Sequence, residues 1–73
     1  MSDLVVRLGE TAERLWRLLR AEGELTLERI AHELGDHVEH VTLAVGWLAR
    51  EDKISMRWEE GELRVALKEN AEI

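Results

Sequence analysis

Val38-Glu39-His40-Val41-Thr42-Leu43-Ala44-Val45-Gly46-Trp47-Leu48-Ala49-Arg50-Glu51-Asp52-Lys53-Ile54 reads as one amphipathic helix that runs straight into a strand. Apolar residues at 38, 41, 45 and 48 have the spacing of a single buried helical face. At about 100° per residue, Leu43 and Trp47 point to nearly the opposite side. The stretch therefore offers two apolar faces, and a small core needs only one of them.

Working upstream, Leu27, Ile30, Ala31 and Leu34 fall at the spacing of a two-turn helix. Thr26 is placed to cap its start and Gly35 to end it. Asp36 is placed to cap the following helix, with Glu39 three residues on completing a capping-box-like pair. The tight Leu34-Gly35-Asp36 link between two striped helices is a helix-turn-helix signature. Before it, a helix is predicted from Leu8 to Glu22, with Leu8, Ala12, Leu15 and Leu19 as its stripe, Trp16 and Leu18 beside it, and Gly23 as a left-handed cap. Glu24-Leu25-Thr26 is long enough only for a bridge or a one-pair edge strand. Residues 1–7, with Leu4-Val5-Val6, form an N-terminal arm: a frayed lead-in, a short strand, or a segment that packs on a partner.

Working downstream, the third helix is predicted over His37–Glu51, with Asp52-Lys53 as the turn out of it. Ile54-Ser55-Met56-Arg57-Trp58-Glu59 alternates apolar and polar, the pattern of a half-buried strand. Glu60-Gly61 is an acidic-Gly pair of the kind that makes a two-residue hairpin turn, and Leu63-Arg64-Val65-Ala66-Leu67 alternates again to pair back. Residues 69–73 form a polar tail. Trp16 and Trp58 are assigned to the core. The order is helix, bridge, helix, helix, strand, strand. It predicts an α+β winged helix-turn-helix: one domain over residues 1–73, three helices, and a two-stranded hairpin as the wing.

Composition narrows the function. A chain of 73 residues buries only about 60–65% of the surface its unfolded form exposes, and dimerisation is one way to enlarge so small a core. The sequence has no cysteine, so it has neither a disulfide nor a thiolate metal site. No run approaches the roughly 18 apolar residues of a membrane span. The first residues lack the basic start and long apolar run of a signal peptide. A cytoplasmic location with no membrane partner is expected. Net charge is −6, and no segment carries a basic excess. Phosphate neutralisation supplies most of a nucleic-acid binder's affinity, so this balance disfavours DNA.

Ala44-Val45-Gly46-Trp47-Leu48-Ala49-Arg50-Glu51-Asp52-Lys53-Ile54 resembles the hallmark of a family of short, uncharacterised prokaryotic winged helix-turn-helix proteins, whose recognisable core is Gly-Trp-Leu-Ala-Arg-Glu. Leu8-Gly9-Glu10-Thr11-Ala12 through Leu15-Trp16 is similar to that family's first helix. The likeness extends from about Leu8 to Leu67. It implies a winged-helix fold and a homodimer, and it brings no established activity, because fold does not fix function.

The outer face of the third helix is the candidate site. DNA-reading helices of this kind present Arg, Lys, Asn, Gln or Ser to base edges from their exposed N-terminal part. The candidates for exposure here are His37, Glu39, His40, Leu43 and Trp47, and the wing tip is Glu59-Glu60-Gly61-Glu62. Both elements carry the wrong chemistry for phosphate. Leu43 and Trp47 are i, i+4 neighbours; His40 and Glu51 continue their line, and Gly46 beside them admits a close backbone approach. The expected interface is His40, Leu43, Gly46, Trp47, Arg50 and Glu51, binding a second copy or another protein. The competing explanation is cover from the chain's own ends. A DNA-binding regulator or chromosome-associated protein is the alternative, and it needs Arg14, Arg17, Arg20, Arg50, Arg57 and Arg64 to assemble into a basic surface. Arg14, Arg17 and Arg20 recur on the wet face of the first helix, where Glu10 and Glu13 offer helix-spaced ion pairs.

His37 and His40, with Asp36, Glu39 and nearby His32, have spacing that can hold a metal, yet they read as a polar helix start. No metal or cofactor is expected. Ser2 and Ser55 are the only serines, there is no Cys or Tyr, and no phosphate loop is present. The chain is read as not an enzyme, with no small-molecule substrate.

Overall fold

The structure, a computed structural model, describes residues 3–68. Its elements are α1 (Asp3–Glu22), β1 (Leu25–Thr26), α2 (Leu27–Leu34), α3 (Val38–Arg50), β2 (Ile54–Glu59) and β3 (Glu62–Leu67). Residues 1–2 of the predicted arm and the predicted tail at 69–73 lie outside the described residues.

The arm is otherwise corrected. Asp3–Arg7 are the first turns of α1, because no Pro or Gly interrupts them and an acid in the first turn suits the helix dipole. Gly23 ends α1 at φ 83°, its N–H donating to the Leu19 carbonyl at 2.8 Å. Thr26 caps α2, its Oγ1 accepting from the Arg29 N–H at 3.2 Å. At the far end Gly35 takes φ 66°. The Gly35 N–H reaches the His32 carbonyl at 3.2 Å and the Asp36 N–H reaches Ala31 at 3.1 Å, the double bond of a Schellman ending.

That ending displaces the predicted cap of α3. The N-cap is His37, which makes no side-chain cap bond. Asp36 is instead committed through its backbone to closing α2, and its Oδ1 accepts from the adjacent His37 N–H at 2.9 Å. The Asp36–Glu39 capping box does not form.

The sheet has three antiparallel strands in the order β1-β3-β2, one more than the predicted hairpin. Two residues suffice for β1 because both pair, Leu25 with Val65 and Thr26 with Arg64. The wing closes through Glu60 at φ 54° and Gly61 at φ 81°, two positive φ values in succession, the type I′ turn whose twist matches the flanking strands.

The core gathers Ala12, Leu15 and Leu19 from α1, Ile30 and Ala31 from α2, Val41, Ala44, Val45 and Leu48 from α3, and Ile54 and Val65 from the sheet. Two predictions about it fail. The buried face of α3 is turned so that Ala44 and His40 are inside while Val38 is exposed. Trp58 is not core: it is 73% exposed, and Met56 on the same strand face is exposed too. Only Ile54 of β2 is buried. Alternation in a strand reveals a shared face, but whether anything covers that face depends on how far the wing runs past the helices. Trp16 packs half-buried against the core as expected.

Candidate functional site

The outer face of α3 presents Leu43, 53% exposed, and Trp47, 36% exposed, one turn apart. Gly46 stands between them at the surface, and a Cβ built there would meet nothing within 4 Å. Arg50 and Glu51 are exposed at the end of the same face. Trp47 is tethered on one side by its own chain. Its ring lies over Gly9 of α1, where a Cβ would stand 3.7 Å from Cζ2. The cover therefore comes from the body of α1, and it leaves Leu43 open. Between α1 and α3 runs an open groove of about 350 Å³, with Gly9, Ala12, Trp16, Trp47 and Leu48 in its lining. Glu51 at its margin pairs with Lys53 at 3.6 Å.

His40, expected on this face, is inside the protein. It is 9% exposed, and its Nε2 is 2.8 Å from Thr11 Oγ1 on α1. Asp36 Oδ2 lies 3.9 Å from the same nitrogen. Of the expected interface, Leu43, Gly46, Trp47, Arg50 and Glu51 share the surface and His40 does not. Among the described residues no three metal-ligating groups converge.

The arginines proposed for nucleic acid are largely occupied. Arg14 donates from Nη2 to the Leu34 carbonyl at 2.8 Å. Arg17 pairs with Glu13 at 2.7 Å. The Arg20 guanidinium sits 5.1 Å from the centre of the Trp16 ring. On the wing, Arg57 forks onto Glu24 at 2.6 and 3.0 Å and reaches Glu59 at 3.1 Å. Arg64 lies 2.9 Å from Glu59, 3.6 Å from Glu62 and 3.9 Å from Glu24. Hydrogen bonding from Arg57, and then the charges of Arg57 and Arg64, hold the Glu24 carboxyl below its ordinary range; reciprocally, bonding to Glu24 raises Arg57. These two arginines face carboxylates of their own chain. Arg50 is the exposed member of the set on α3.

Sequence reasoning missed Thr11, Gly9 and Glu24. Thr11 and Glu24 act across 29 and 33 positions of chain, and no local pattern marks such pairs. Gly9 did carry a signal: a glycine inside a helical stripe costs helix stability and often marks close packing. Among the described residues no helix is long and apolar enough to cross a membrane.

Comparison with known proteins agrees with this architecture. A family model described as Winged helix-turn-helix domain (DUF2582) matches residues 1–67. A relative in Methanocaldococcus jannaschii, named Uncharacterized protein MJ1608, is 44% identical over 57 residues, covering 74% of this chain and 80% of that one. The solution NMR structure of protein BT2368 from Bacteroides thetaiotaomicron is similar at a TM-score of 0.76 and 30% identity, covering 82% of this chain and 73% of that one. With three helices, a paired wing and a family match across most of its length, the chain belongs to the Winged helix-turn-helix domain (DUF2582) family.

Proposed function

We propose that this chain is a non-catalytic binding module that works by protein–protein association, first with a second copy of itself, through the outer face of α3. The observation that carries the proposal is the exposed Leu43–Trp47 pair beside an open Gly46 and the α1–α3 groove. Trp is the residue type most enriched at the energetic centre of interfaces. A tryptophan already held on one side by Gly9 has less rotamer freedom left to lose on binding. A two-fold dimer would use the same patch on both copies.

Charge supports protein over DNA as the partner. Arg57 and Arg64 are engaged by Glu24, Glu59 and Glu62, so a wing laid on a duplex would bring net carboxylate to phosphate. The test is sedimentation of the wild type beside Trp47→Ala. The variant is expected to sediment as a smaller assembly than the wild type, with unchanged helical circular dichroism. A variant whose assembly matches that of the wild type overturns the assignment of the interface. Titration of a random duplex at two salt concentrations tests the alternative, since binding that collapses steeply with salt is the signature of phosphate contacts.

A further inference from the structure

We infer that the outer edge of β2 is a second interaction surface, one that pairs antiparallel with β2 of another copy about a two-fold axis at Met56. The sheet order β1-β3-β2 leaves β2 with a neighbour on one side only among the described residues. Its pairing with β3 is unbroken from Ile54↔Leu67 to Glu59↔Glu62, with no bulge and no proline. Those are two of the usual devices that guard an exposed edge.

The ladder fixes which backbone groups face outward. The Lys68 N–H donates to the Lys53 carbonyl at 3.1 Å, so the 53–68 pair is hydrogen-bonded. Pairs alternate in an antiparallel ladder, so Ser55, Arg57 and Glu59 also turn their N–H and C=O groups towards β3. The N–H and C=O groups of Ile54, Met56 and Trp58 point away from it. Met56 and Trp58 are also the exposed large apolar residues of the strand, at 45% and 73%. The free edge and the uncovered side chains therefore belong to the same residues.

Charge selects the occupant and the register. With Met56 opposite Met56 of the copy, Ile54 falls opposite Trp58 and Ser55 opposite Arg57, while Lys53 falls opposite Glu59. Both apolar pairs lie on one face, and the only facing charges are of opposite sign, the arrangement that stabilises cross-strand neighbours. Shifting the axis to Arg57 sets Arg57 against Arg57. Shifting it to Ser55 sets Lys53 against Arg57. The axis at Met56 avoids both like-charge contacts, and the two three-stranded sheets become one of six strands.

This contact is independent of the α3 surface, and thiol cross-linking reads it separately. The chain has no cysteine, so each introduced thiol is the only one. A hydrogen-bonded antiparallel pair has Cα atoms about 5.5 Å apart, within disulfide reach. Met56→Cys under glutathione disulfide is expected to form a covalent dimer at least about tenfold faster than Ser55→Cys or Arg57→Cys, whose thiols do not face their own copies. The same ranking is expected in a Trp47→Ala background. In Met56→Pro the ring removes an N–H that β3 does not use, so folding is retained and edge association is lost. Lys53→Glu should weaken association. Equal rates for the three thiols, or a fastest Arg57→Cys, overturn the proposal.

Discussion

Thr11 Oγ1 and His40 Nε2 lie 2.8 Å apart in the interior, joining α1 to α3 across 29 residues of chain. Each is otherwise a polar group buried in a small apolar core, at 4% and 9% exposure. Thr11→Val keeps the shape and removes the hydroxyl, leaving the imidazole nitrogen without that partner. The expected cost is about 1–3 kcal/mol, seen as a lower urea midpoint with an unchanged slope.

Gly9 and Gly46 differ in surroundings: one lies beneath the Trp47 ring and the other stands at the open surface. Both sit inside helices, where replacing Gly by Ala gains about 0.8–1 kcal/mol from propensity alone. At Gly9 the added methyl would stand 3.7 Å from the Trp47 ring, an ordinary contact, so Gly9→Ala should raise the melting temperature. Gly46→Ala should also stabilise the fold, since its Cβ meets nothing within 4 Å. On the proposed function it should weaken self-association. Thermal melts paired with light scattering at low concentration read the two effects apart.

At the wing tip, Glu60 holds φ 54° and Gly61 φ 81°. Asparagine tolerates the left-handed region better than glutamate, so Glu60→Asn should stabilise the fold by about 0.5 kcal/mol. Gly61→Ala should cost about 1 kcal/mol. Denaturant melts of the pair, with opposite signs, check the turn type directly.

The bond from Arg57 holds the Glu24 carboxyl below its ordinary value of 4.5. A depressed folded value makes a contribution to stability that is complete above the unfolded carboxylate range and is lost as pH falls through the lowered value. An NMR titration of the Glu24 side chain should therefore find its midpoint below 4.5 in the wild type and higher in Arg57→Ala. Equal midpoints would show that the fork onto Glu24 does not persist in solution.

Helix periodicity and caps were legible because they are local. Thr26, Gly23 and Gly35 sit where their backbone demands them. Asp36 was misread because it stands at the junction of two helices and the Schellman closure of α2 took it first. The buried stripe of α3 holds at Val41, Val45 and Leu48 and fails at Val38 and His40, since the partner that makes a buried His40 tolerable, Thr11, lies on a different helix. Alternation assigns Trp58 to the core because it marks a shared strand face and not what covers that face. Of the candidate site, Leu43 and Trp47 were found from a helical wheel alone, whereas the Gly9 contact beneath Trp47 and the carboxylates around Arg57 and Arg64 needed the tertiary fold.

Val65 is fully buried and pairs with both Leu25 and Met56, which makes β3, the last of the described strands, the middle strand of the sheet. During synthesis, everything up to the wing turn can leave the ribosome as helices with an unfinished core, and the fold cannot close until β3 has emerged. A termination event before Leu63 would release a chain with striped helices and no centre to pack on. Folding therefore waits on β3, whose pairing with β1 joins Leu25 to Val65 and closes a loop of about 40 residues, at an entropic cost met before the pairing rewards it.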